Sequence, residues 1–173
     1  HFSFLMILKS DNFKKVLFSF FSMYLPSLIL DRYMQRCIAL GLQGEGAVGK
    51  PYVGAMVISC LGELVGEGYR KFIEGTKYVM HAERMALDSA GEHARGGTLI
   101  TTLEPCVRTR RNQLISSCGE LILKRGIERV IYGFIDDSPT LHSGEGVSYL
   151  TENGLDVFRL NGFRKVIKEQ LMP

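Results

Sequence analysis

The stretch Thr98-Leu99-Ile100-Thr101-Thr102-Leu103-Glu104-Pro105-Cys106 begins with six Thr, Leu and Ile residues and ends in a proline and a cysteine. Leu, Ile and Thr in one short, uninterrupted run are typical of a strand that is covered on both faces. We therefore predict a buried strand over residues 98–103, with Cys106 just beyond its end.

Cys106 has three possible partners, because the chain contains only four cysteines. Cys118 lies at the head of a helix pattern that stops at Gly126, and a helix N-terminus favours a thiolate. Cys60 lies in a turn-like segment between two apolar runs, and Cys37 lies in an apolar helical stretch that is typical of a core. We therefore pair Cys106 with Cys118, although eleven residues separate them.

His81 and Glu83 lie upstream, in a segment with helical character over residues 80–90. One imidazole and two thiolates suit zinc, so His81, Cys106 and Cys118 are the predicted metal ligands. Three protein ligands leave a fourth position open for water, which is typical of a hydrolytic site. Glu83, two residues from His81, is placed to move protons beside the metal rather than to bind it.

The rest of the chain alternates between strand and helix patterns. From residue 98 onward this alternation implies parallel strands with helices on both faces. We expect an α/β fold, a three-layer α/β/α sandwich around a mixed sheet of about five strands. The predicted helices are residues 32–42, 80–90, 118–125 and 146–152, and the predicted strands are residues 52–58, 64–69, 98–103, 129–134 and 156–160.

Several motifs resemble the deaminase domain of the bacterial riboflavin-biosynthesis deaminase/reductases, within the cytidine/deoxycytidylate deaminase superfamily. The His-x-Glu followed by Pro-Cys is the front half of the zinc deaminase signature. The step of eight residues from Cys118 to Gly126 is similar to that from the family's second cysteine ligand to its glycine. The resemblance covers about three quarters of the chain, and residues 32–40, 50–58, 102–106, 137–139 and 144–146 also carry it.

This resemblance implies a reaction as well as a fold. It implies that a hydroxide formed from water on Zn²⁺ attacks the ring carbon that bears an exocyclic amine, and that ammonia leaves. Glu83 would carry the water's proton to the departing nitrogen. For Glu104, packing or helix capping beside Pro105 is a better interpretation than direct catalysis.

The chain departs from the family in the region that would meet the substrate. Its loop between the cysteines is longer and contains Arg108, Arg110 and Arg111, which could clamp a phosphate or simply be solvated. Lys50 replaces an asparagine that the resemblance would place near the substrate ring. His142 lies in a loop that the resemblance places at the substrate mouth. These five residues are the predicted substrate contacts.

Three functions are compatible with these observations. The first is a deaminase of a small aminopyrimidine, nucleoside or nucleotide. The second is a nucleic-acid editing deaminase, against which stand the mild net charge of +3 and the lack of an aromatic and basic strip. The third is a non-catalytic zinc scaffold, against which stands Glu83, because a structural zinc needs no proton carrier.

The length of the chain and its cysteines limit the number of domains and the compartment that we expect. A chain of 173 residues with 46% hydrophobic content can bury one core, and is too short for two ordinary domains. Nothing in the cysteine spacing resembles a secreted disulfide scaffold, so we expect a cytoplasmic protein. We also expect a homodimer or higher oligomer, with a small molecule rather than nucleic acid or membrane as its partner.

The first thirty residues form a hydrophobic extension. The apolar run over residues 16–30 is shorter than the roughly 20 residues that span a bilayer. Polar residues three or four apart indicate an amphipathic helix packed on the domain or on a second subunit; membrane attachment or a segment foreign to the domain are the alternatives. We expect residues 1–30 to form this extension, residues 31–160 to form the deaminase domain, and residues 161–173 to form a C-terminal helical tail.

Overall fold

The computed structural model describes residues 27–44, 51–76, 78–107, 116–135 and 144–172. Within these ranges no helix combines the length and the apolar character that crossing a membrane requires. The helices are α1 (Ser27–Gly41), α2 (Ala82–Ala90), α3 (Cys118–Lys124), α4 (Glu145–Glu152) and α5 (Arg164–Leu171), with a 3₁₀ turn at Gly91–Ala94. The strands are β1 (Gly54–Ile58), β2 (Leu64–Tyr69), β3 (Lys71–Phe72), β4 (Val79–Met80), β5 (Thr98–Leu103), β6 (Arg129–Phe134) and β7 (Asp156–Arg159).

Five of the strands form one mixed sheet in the order β2-β1-β5-β6-β7. Strand β1 pairs antiparallel with both β2 and β5, whereas β5–β6 and β6–β7 are parallel. Parallel strands need crossover connections, and α3 and α4 supply them. Strand β5, the predicted buried strand, lies at the centre of the sheet.

Helices cover both faces of this sheet. Adjacent residues of β5 point to opposite sides, so Leu99 packs in one core and Ile100 in the other. The first core includes residues of α2, α3 and α4, and the second includes residues of α1 and α5. The predicted three-layer α/β/α sandwich is confirmed.

Most predicted elements appear within two residues of their expected ends, and four features differ. The first helix begins at Ser27 rather than residue 32. Helix α2 begins at Ala82, so His81 lies just before the helix and not inside it. The short hairpin β3–β4 and the 3₁₀ turn were not predicted.

The ends of the described chain belong to the second core. Helix α1 crosses the boundary predicted between residues 30 and 31, and Leu30 packs against this core. Helix α5 lies in the segment predicted as a helical tail, and its Ile167 and Leu171 are fully buried. Residues 1–26 lie outside the described residues, as does the amphipathic helix predicted there.

Candidate active site

Helix α2 is held against strand β2 at its first turn. A side chain at Gly68 would collide with the carbonyl oxygen of Ala82, so the absence of a Cβ there allows this close approach. His81 is the N-cap of α2 in an extended conformation, and its side chain makes no capping hydrogen bond. The imidazole is therefore available to other groups beside the helix N-terminus.

Glu83 lies in the first turn of the same helix, and its side chain points inward. Only 4% of its surface is exposed. Burial raises the pKa of Glu83 to about 7, and the neighbouring His81 opposes this rise. A carboxyl group with a pKa near 7 can both accept and release a proton at neutral pH.

Two further elements bring the cysteines to the same place. Cys106 follows β5 by three residues, and its carbonyl oxygen accepts a hydrogen bond from the Gly119 N–H at 2.9 Å. Cys118 is the first residue of α3. Ser117 and Glu120 cap this helix reciprocally, with Ser117 Oγ accepting from the Glu120 N–H at 3.2 Å and Glu120 Oε2 accepting from the Ser117 N–H at 2.7 Å.

The side chains of His81, Cys106 and Cys118 converge on one point. His81 Nδ1 lies 3.5 Å from Cys106 Sγ and 3.4 Å from Cys118 Sγ, and the three atoms lie within 4.8 Å of one another. Tetrahedral zinc with Zn–S of about 2.3 Å and Zn–N of about 2.0–2.1 Å separates N from S by about 3.6 Å. The donor types and the two N···S distances therefore fit zinc.

The two thiols share one hydrogen bond, and this contact separates their pKa values. It lowers the pKa of Cys106 to about 4, and the hydrogen bond to His81 adds to this effect. The same contact, together with burial, raises the pKa of Cys118. The hydrogen bond to Cys106 in turn raises the pKa of His81. A cation at this point would replace the shared proton, because zinc binds cysteine as thiolate.

The three candidate ligands differ in exposure. Cys118 is buried, Cys106 is half-buried and His81 is exposed. The site is therefore closed behind Cys118 and opens to solvent on the side of His81, where a substrate could enter.

Glu104 binds the start of helix α4. Its Oε2 accepts from the Gly144 N–H at 2.9 Å, and its Oε1 accepts from the Val147 N–H at 3.0 Å. The capping role expected for Glu104 is confirmed. This contact joins α4 to the segment that leads directly into Cys106.

The predicted substrate contacts lie outside the described residues; they are Lys50, Arg108, Arg110, Arg111 and His142. Cys37 and Cys60, the alternative partners of Cys106, lie elsewhere: Cys37 is in the second core and Cys60 is exposed in the β1–β2 turn. One contact near the site was not predicted. Arg84 donates to Ser116, at the end of the inter-cysteine loop, and no sequence pattern indicates this pair.

The fold and the His–Cys–Cys–Glu group define a class of zinc-binding deaminases. The family described as the cytidine and deoxycytidylate deaminase zinc-binding region matches residues 29–134. The chain belongs to this family, and within it to the riboflavin-biosynthesis deaminases. The family binds zinc, and the group formed by His81, Cys106 and Cys118 suits that metal, in agreement with the predicted cofactor.

Relatives and solved structures agree on this assignment. The chain is 39% identical over 127 residues to the diaminohydroxyphosphoribosylamino-pyrimidine deaminase of Buchnera aphidicola subsp. Schizaphis graminum, covering 72% of this chain and 80% of that protein. It is 39% identical over 126 residues to the riboflavin biosynthesis protein RibD of Actinobacillus pleuropneumoniae, covering 72% of this chain and 31% of that protein. The chain thus spans about a third of the length of the RibD relatives that it matches.

The fold comparison gives the same result. A deaminase/reductase of this type from Thermotoga maritima superposes with a TM-score of 0.69 at 33% identity, covering 84% of this chain and 40% of that chain. The similarity therefore concerns one domain of the longer protein.

Proposed function

We propose that this chain hydrolyses the exocyclic amine of a small aminopyrimidine that carries a phosphorylated ribosyl group, and releases ammonia. The observation that carries the proposal is the buried carboxyl group of Glu83 beside the convergent His81, Cys106 and Cys118. The substrate class rests on the Buchnera relative, whose name specifies a phosphoribosylamino-pyrimidine and of which this chain covers 80%.

In this proposal His81, Cys106 and Cys118 hold zinc, which when bound supplies a Lewis acid that lowers the pKa of a water. Both cysteines bind as thiolates, and His81 binds through Nδ1, the atom that faces them. The capped N-terminus of α3 stabilises the negative charge on Cys118.

Glu83 moves the protons of the reaction. Its carboxylate accepts a proton from the attacking water and delivers it to the amine nitrogen, which leaves as ammonia when the C–N bond breaks. The ring carbon gains an oxygen in place of nitrogen, so no oxidant or reductant is needed. Burial raises the pKa of Glu83 to about 7 in the metal-free chain, and a bound cation would favour the carboxylate form that accepts the water's proton.

Substrate contacts are assigned to five Arg, Lys and His residues of the chain. We propose that Arg108, Arg110 and Arg111 bind the phosphate, since guanidinium groups form strong bidentate contacts with phosphate. Lys50 and His142 would contact the ring or the sugar.

Ammonia release from purified, zinc-loaded protein tests the proposal. We expect stoichiometric ammonia from a phosphoribosylamino-diaminopyrimidine, and none from a cytosine-containing oligonucleotide. Glu83→Gln should keep zinc and lose roughly 10²–10⁴-fold in turnover, the range for general acid–base catalysis. Deamination of the oligonucleotide alone would favour the editing function, and zinc binding without any ammonia release would favour the scaffold function.

The assembly and compartment are also proposals. We propose a homodimer or higher oligomer, supported by the edge position of strand β2, where Leu64 and the nearby Leu61 are exposed. A cytoplasmic location is supported by the four cysteines, all free. Light scattering of the purified protein tests the first of these.

A further inference from the structure

Arg84 connects helix α2 to the end of the loop between the two cysteines. Its Nη2 donates to the carbonyl oxygen of Ser116 at 2.6 Å and contacts Ser116 Oγ at 3.1 Å. Ser116 precedes Cys118 by two residues. The contact therefore joins the start of α2, next to the candidate ligand His81, to the segment that leads into the candidate ligand Cys118.

Adjacent residues on a helix point about 100° apart, and α2 uses this geometry. Glu83 points into the buried site, whereas the next side chain, Arg84, runs across the surface to Ser116. The first turn of α2 thus contains both Glu83, the proposed proton carrier, and Arg84, which contacts the segment that leads into α3.

The length of the inter-cysteine loop makes such a contact important for the position of Cys118. Eleven residues separate Cys106 from Cys118, and a longer connection restricts its two ends less. The capping box of Ser117 and Glu120 is local to α3, and the Gly119–Cys106 hydrogen bond joins α3 to the end of β5. The Arg84–Ser116 contact joins the same region to α2, the remaining element of the metal group.

We propose that Arg84 is a positioning residue for the metal centre, which fixes Ser116 to α2 and so presets Cys118 for zinc. The proposal rests on the ligand set of the proposed function. Metal ligands must be held within about 0.5 Å of their working geometry. Loss of a supporting contact around metal ligands typically weakens metal affinity by about 10–100-fold.

A second arginine provides a matched control. Arg125, just after α3, donates to Asp88 of α2 at 2.6 Å. It joins the same two helices but lies at the other end of α3, away from Cys118. Arg125→Gln removes a guanidinium contact between the same two helices, in this case an ion pair, without touching Ser116.

The experiment measures the zinc Kd of the full chain by competition with a chelator, together with urea unfolding of the zinc-free protein. We expect Arg84→Gln to weaken zinc binding by roughly 10–100-fold. Ser116→Ala keeps the carbonyl acceptor, and Arg84→Lys keeps the positive charge but not the planar guanidinium group. Both variants should weaken zinc binding less than Arg84→Gln does. Arg125→Gln should leave the zinc Kd unchanged.

A wild-type zinc Kd in Arg84→Gln, or an equal loss in Arg125→Gln, would overturn the inference. If Arg84→Gln does not fold, Arg84→Lys and Ser116→Ala decide: wild-type zinc Kd values in both would overturn it. Cys118→Ala separates the two proposals. Zinc lost in Cys118→Ala but retained in Arg84→Gln rejects the positioning role alone, whereas zinc retained in Cys118→Ala rejects the ligand set itself.

Discussion

Gly146, in the first turn of helix α4, packs directly on Pro105. A Cβ at Gly146 would collide with the carbonyl oxygen of Pro105 and would lie 3.0 Å from Glu104 Oε1. The same Glu104 carboxylate accepts hydrogen bonds from the start of α4. Helix α4 and the segment before Cys106 therefore form one packed unit.

Gly146→Ala should disturb this unit. The added methyl group must push α4 away from Pro105, and overpacking of this kind typically lowers the free energy of unfolding by about 1–3 kcal/mol. Because the displaced residue precedes Cys106, the zinc affinity should fall as well. Urea unfolding and zinc competition measure the two effects. Ser148→Ala on the same helix is the control, and equal results for both variants would contradict the prediction.

Cys118→Ala should abolish stoichiometric zinc binding, because only two of the three proposed ligands remain. Cys60→Ala, which removes an exposed thiol of the β1–β2 turn, should retain one zinc per chain. Metal analysis of both purified variants gives the answer. A full complement of zinc in Cys118→Ala would show that another residue occupies its place.

Glu83 should give the metal-free protein a distinctive pH dependence of stability. Burial raises its folded-state pKa from 4.5 to about 7, so the folded state holds an extra proton between these pH values. The free energy of unfolding should therefore fall as pH rises from 4.5 to 7, by up to about 3 kcal/mol relative to Glu83→Gln. Urea unfolding of the two zinc-free proteins across this range is the measurement. Parallel pH profiles would mean that Glu83 ionises normally.

Ile167 tests whether helix α5 is part of the domain. Its side chain is fully buried and packs beneath β6, whereas the neighbouring Val166 is 37% exposed. Ile167→Ala should lower the free energy of unfolding by about 2–5 kcal/mol, because it leaves a cavity in the core. Val166→Ala should have a much smaller effect. Equal, small changes in urea unfolding would make α5 a dispensable tail.

Replacing Arg108, Arg110 and Arg111 with alanine should affect phosphorylated substrates selectively. A hydrogen bond to a charged group contributes roughly 1.5–3 kcal/mol, so losing one such contact should lower kcat/KM by about 10–100-fold. Steady-state kinetics on a substrate and its dephosphorylated form provides the comparison. Equal loss on both forms, or no loss on either, would leave these arginines without a phosphate-binding role.

The sequence predicted the elements that carry strong local patterns. Strand β5 has the predicted bounds, Thr98–Leu103, because Thr, Leu and Ile favour a strand and Glu104 and Pro105 follow directly. Helix α3 begins at the predicted residue, Cys118, where Ser117 and Glu120 supply a capping box. Both features are encoded within a few residues of the chain, so they can be recognised without the fold.

Very short elements and single long-range contacts could not be predicted in this way. Strands β3 and β4 contain two residues each, too few to show an alternation of polar and apolar side chains. The Arg84–Ser116 pair joins positions 32 residues apart through one side chain. Neither feature leaves a periodic signal: the strands of the hairpin are too short, and the arginine–serine contact forms only after folding has brought α2 next to the residues before α3.

The hydrogen bond from the Gly119 N–H to the Cys106 carbonyl, at 2.9 Å, joins the residues on either side of the inter-cysteine loop. The loop's interior can therefore drift in length and charge over evolution while its two anchor points stay in place. Doubling the length of such a loop costs only about 0.6 kcal/mol of closure entropy. Changes in the interior of this loop are therefore expected to alter substrate contacts while the metal ligands at its two ends keep their positions.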